Sequence, residues 1–81
     1  MPLTRKRQND LVGQCLASRH MQCFAGAFPA ALIDRAELVR RTAQAARRQY
    51  HDRGRLPLGR WLRGIMRDIY RCAREEARLP S

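Results

Sequence analysis

Residues 56–79 read LPLGRWLRGIMRDIYRCAREEARL, and the fold turns on how this stretch is read. Leu58, Leu62, Ile65, Ile69 and Cys72 recur at alternating steps of four and three, with Trp61, Met66, Tyr70 and Ala73 widening the same side. That spacing is the period of a helix with one buried face. Pro57 suits a first helical residue, where its missing amide is no loss, and Pro80 halts the pattern after Leu79. A helix is therefore expected over about 57–79. On its other side Arg60, Arg67, Arg71, Arg74 and Arg78 form a row of guanidinium groups.

A second helix is expected over about 29–54, opened by Pro29 and closed by Gly54. Leu32, Ala36, Val39, Ala43, Ala46 and Tyr50 supply its apolar stripe, and the alanines let a neighbour approach closely. The connector at about 52–56 is short enough to turn the chain back on itself. Upstream, a shorter helix is expected from Asn9 or Asp10 to about Phe24, with Val12, Cys15, Leu16, Arg19 and Cys23 near one face. Arg19 and His20 interrupt that stripe, and FAGAF at 24–28 either extends the helix or forms an apolar connector. Residues 1–8 read as a basic N-terminal arm or a frayed end, and 9–81 as a single helical domain. The expected fold is all-α: three helices, dominated by a long antiparallel hairpin (29–54 and 57–79) with the N-terminal helix packed across it. At 81 residues such a domain buries only about 60% of its unfolded surface, so its stability margin is small.

Seventeen basic residues against seven acidic ones give a formal net charge of +10. That excess calls for an acidic partner, with DNA or RNA the leading class and an acidic protein surface the alternative. Lys6 is the only lysine; a GC-rich genome accounts for arginine in place of lysine, but not for the excess over acids. In the expected hairpin, Arg47, Arg48, Arg53, Arg55, Arg60, Arg63 and Arg67 gather at the tip, opposed there by Asp52, while Asp34, Glu37, Glu75 and Glu76 dilute the charge at the far end. The last helix begins among arginines and ends with glutamates, opposite to what its dipole favours, and a phosphate at the tip relieves that arrangement. With Arg71 and Arg74 of the row, these arginines are the candidate anion-binding set. Glu37 with Arg41, and Arg71 with Glu75, are spaced to neutralise part of the surface.

Catalytic chemistry finds no foothold, because His20 and His51 stand in separate segments with no accompanying nucleophile or orienting group. Cys15, His20 and Cys23 lack both a standard metal-ligand spacing and a fourth ligand, so buried thiols are the simpler reading of Cys15, Cys23 and Cys72, and no metal or cofactor is expected. Three cysteines do not suggest a disulfide framework. Trp61 and Tyr70 flank both the arginine row and the apolar stripe, and core anchoring is preferred over base stacking. No stretch is apolar enough for a signal peptide or a membrane span, so a soluble cytoplasmic chain without membrane attachment is expected.

Helices this long and antiparallel do not suit a helix-turn-helix reader. The expectation is a non-enzymatic nucleic-acid binder that contacts the backbone, or a protein-binding regulator of the kind phages and mobile elements carry. A homodimer would use the apolar remainder of the first helix or the FAGAF connector.

Overall fold

The computed structural model describes residues 4–78, which form four α-helices packed together. The first, α1 (Arg5–Ala17), starts earlier than expected: Thr4 is its cap, and its Oγ1 accepts from the Arg7 amide at 3.2 Å. Arg5, Lys6 and Arg7 are thus its first turn rather than an arm, while residues 1–3 of that arm lie outside the described residues. Nor is the expected N-terminal helix continuous. Ser18 is extended (φ −63°, ψ 152°), ending α1 and capping α2 (Arg19–Gly26), with its Oγ accepting from the Met21 amide at 3.3 Å.

The break has a reason in the apolar pattern. Val12 and Leu16 are four apart, as are Met21 and Ala25, and all four are buried, but Leu16 and Met21 are five apart. A straight helix cannot keep both pairs on one face, since five residues overshoot a turn. Ser18 absorbs the slip and leaves Arg19 and His20 in solvent. The Gln22 side-chain amide then donates to the Leu16 carbonyl at 2.9 Å, satisfying an acceptor released by the break.

Pro29 does not open the next helix. Residues 30–33 are turn and bend, and α3 (Arg35–Gln49) begins after Asp34, whose Oδ1 accepts from the Glu37 amide at 2.8 Å. Asp34 satisfies a free helix amide, which Pro29 has no side chain to do. The buried line of α3 is Leu38, Thr42 and Ala46, rotated from the expected stripe. Val39 and Ala43 are half-buried, whereas Leu32 and Ala36 are exposed. Thr42 tolerates full burial because its hydroxyl donates to the Leu38 carbonyl at 2.7 Å, within its own helix.

After Gln49 the chain tightens into a 3-10 turn, Tyr50–Arg53. Gly54 follows at φ +63°, the one positive φ among the described residues and a conformation a Cβ disfavours. The last helix, α4 (Leu58–Arg78), starts one residue after Pro57, whose carbonyl accepts from the Trp61 amide at 3.0 Å. Leu79 and the expected stop at Pro80 lie outside the described residues.

Leu62 and Met66 of α4 have no exposure and Trp61 is buried; with Leu38, Ala46, Val12, Leu16, Met21, Ala25 and Ile33 they form the core. Aromatic edges brace its rim. Tyr50 meets Trp61 edge-on at 5.9 Å between ring centres, and Phe28 lies 4.9 Å from Tyr70. Trp61 is therefore a core anchor, as the sequence suggested. The expected stripe of α4 is only partly covered: Ile65 and Ile69 pack half-buried against the core and Cys72 is exposed. The molecule is long for its size, at 48 × 25 × 19 Å.

Candidate nucleic-acid interface

Six arginines of α4, at positions 60, 63, 67, 71, 74 and 78, are exposed. At 100° per residue they fall within about 80° of one another, and at 1.5 Å per residue they extend along about 27 Å of helix. Successive steps of three or four place each guanidinium beside the next. Such like-charged neighbours destabilise an isolated helix by about 0.2–0.5 kcal/mol each, so the five steps together cost on the order of 1–2 kcal/mol. A row of this kind is stabilised by anything that brings negative charge to it.

The row has little internal relief. Among the described residues only Arg71 has a carboxylate partner, its Nη2 lying 3.0 Å from Oδ1 of Asp68. Glu75, the expected partner of Arg71, makes no such pair among the described residues. The α4 first turn carries no acid. In α3 the opposite holds. Glu37 accepts from Arg40 Nε at 2.8 Å and from Arg41 Nε at 2.9 Å, the latter pair as expected. These two bonds, with that from Arg40 the stronger influence, hold the Glu37 carboxyl down at about 2 and raise the Arg40 pKa. Arg40 and Arg41 are thereby partly neutralised, whereas the row on α4, Arg71 apart, is not.

The remaining candidates are spread around the end where α3 gives way to α4. Arg47 and Arg48 occupy the last turn of α3, exposed, and border a shallow hollow with Gln44. Arg53 is half-buried, with its guanidinium carbon 5.1 Å from the Tyr50 ring centre and Nη1 donating to the Leu56 carbonyl at 3.4 Å. Those contacts hold it as a brace. Arg55 is exposed in the turn before α4. Arg63 faces the junction of α1 and α2, bordering a hollow with Cys15, Ser18 and His20. Burial raises the Cys15 thiol pKa there, partly offset by the Arg63 charge. Arg67, Arg71 and Arg74 share a notch with Phe28, Tyr70 and Asp68. Tyr70 is thus half-buried against Phe28, the anchoring role the sequence preferred, while it also borders the arginine row.

Two features escaped sequence reading. Asp68, three residues before Arg71, is the acid that interrupts the row, and its spacing was a usable signal. The position of His20 beside Arg63 is the other, since the sequence weighed His20 only as a catalytic group or a metal ligand. Cys15, His20 and Cys23 border the same hollow, but among the described residues no three metal-ligating side chains converge on one point. No helix among the described residues is long and apolar enough to cross a membrane. Comparison with protein-family models, with curated proteins and with solved structures found no match.

Proposed function

We propose that this chain is a small non-enzymatic nucleic-acid-binding protein that lays the arginine row of α4 along a phosphate backbone. The observation that carries the reading is the row itself: six exposed arginines on one face, five of them without a carboxylate partner among the described residues. Phosphate contacts from such a row supply affinity without base preference, because they meet only the repeating backbone. In this reading α3 and α4 form an antiparallel hairpin, in keeping with the Tyr50 contact on Trp61 and the short link at 54–57. Arg47, Arg48 and Arg55 then extend the positive surface beyond the N-terminal end of α4, where free helix amides also favour an anion. A second reading, docking of the same arginines on an acidic protein surface, shares the charge argument but concentrates the affinity in a few side chains.

Single Arg→Gln changes along the row separate the two. If the row tracks a backbone, each of Arg60, Arg63, Arg67, Arg74 and Arg78 weakens binding to random-sequence DNA or RNA to a similar degree. Each also lowers the slope of log affinity against log salt by about 0.7–0.9. Arg40→Gln and Arg41→Gln, already held by Glu37, serve as controls with small effects. Row variants that bind as well as the unaltered protein, with the same slope, overturn the reading.

A further inference from the structure

A groove of about 480 Å³ runs between α3 and α4, away from the arginine row. Its floor is apolar, with Ala45 from α3 and Ile65, Ile69 and Ala73 from α4, and no described element covers it. Its two walls carry opposite charge. Arg40, Arg41 and Arg48 line the α3 side, and Asp68 and Glu76 line the α4 side. With Glu37 bound to Arg40 and Arg41, and Arg71 bound to Asp68, the groove and its immediate ion-pair partners hold four positive and three negative groups. This is a nearly balanced surface on a chain of net charge +10.

Such mixed charge disfavours a polyanion as the natural occupant, since Asp68 and Glu76 stand on one wall, and it equally disfavours a uniformly acidic or basic partner. What fits is a surface with an apolar centre, one acidic edge and one basic edge. The chain itself carries that surface. A two-fold axis along the groove sets each α3 over the α4 of the other copy, so the arginine wall of each meets the acidic wall of its counterpart. We propose that this groove is the interface of a two-fold homodimer, in which α3 and α4 of two copies form a four-helix layer closed over Ile65 and Ile69.

The exposed area points the same way. The chain exposes 6146 Å², against about 5000 Å² for a folded monomer of this mass. Specific protein interfaces bury about 1200–2000 Å² in total. The row of α4 lies on the side away from the groove floor, so both copies keep their arginines free. The proposal does not depend on what those arginines bind, and it differs from a dimer through the first helix or the FAGAF connector.

The test is mass measurement by sedimentation equilibrium on nuclease-treated protein, with two rim-reversed variants. One variant carries Arg41→Glu with Arg48→Glu, and the other carries Asp68→Arg with Glu76→Arg. At about 100 µM, where a dimer of micromolar dissociation constant is almost fully formed, the unaltered chain should sediment at twice its 9.4 kDa. Each variant alone should be monomeric with unaltered helicity, because like charges then face each other at both rims. An equimolar mixture of the two should recover a dimer, since the reversed side chains of each variant then face opposite charges across the interface. Unaltered protein that remains at 9.4 kDa under these conditions overturns the proposal without recourse to any variant. So do variants that dimerise individually, or a folded mixture that stays monomeric.

Discussion

Replacing Leu62 by Ala tests whether the core lies where α4 meets the other helices or along the stripe that runs to its far end. Leu62 is fully buried among the core side chains, so losing three carbons leaves a cavity and costs about 2–5 kcal/mol. A domain of 81 residues has on the order of 4–12 kcal/mol in total, making this a large fraction. At about 4–8 °C for each kcal/mol in a domain of this size, the melting temperature should fall by about 10 °C or more. Ile69→Ala is the matched comparison on the same stripe. Ile69 is half-buried, so the loss is about 1 kcal/mol from surface already partly wet, and the better helix propensity of Ala offsets some of it. Both variants are followed by thermal and urea unfolding, using far-UV circular dichroism at submicromolar concentration to limit self-association in the comparison. Equal destabilisation at the two positions, or a larger effect at Ile69, would refute this placement of the core.

Ser18→Ala removes the cap of α2 and should cost about 0.5–2 kcal/mol in urea unfolding, while Ser18→Asp should retain most of it. Glu37 sits at about 2 in the folded chain against an ordinary 4.5, so its contribution is full above about 4.5 and fades as pH falls through 2; Glu37→Gln should flatten the stability profile over that window. Alkylation followed by mass spectrometry should modify Cys23 and Cys72 first, both being exposed, and Cys15 last, because burial raises its thiol pKa and disfavours the thiolate; equal rates at all three would contradict the packing of α1 on α4.

The sequence reading succeeded where residue type and period agreed. The all-helical class, Gly54 at the turn and Pro57 beside the start of α4 followed from 3.6-residue spacing and from the backbone limits of glycine and proline. It failed where a polar side chain did structural work. Ser18 splits the first helix by capping α2, and Asp34 moves the start of α3 past Pro29. Thr42 takes a buried position that an apolar template assigns to its neighbours, because its hydroxyl is satisfied by the Leu38 carbonyl. The stripe of α4 was read correctly as a face and too generously as a core, since periodicity says which side is apolar and not how far a partner helix covers it. For the candidate interface, the row was legible from spacing alone. That Glu37 clasps Arg40 as well as Arg41, and that Asp68 takes Arg71 before Glu75 can, depends on rotamers that spacing does not fix.

The central claim is that the row meets a phosphate backbone. Its most direct test is the affinity of nuclease-treated, unaltered protein for labelled random-sequence duplex DNA and RNA between 50 and 200 mM salt. Six phosphate contacts give a slope of about −5 and a loss of about a thousandfold in affinity for duplex DNA across that range. That result is the one expected here; no binding at 50 mM, or binding that hardly changes with salt, would contradict the account.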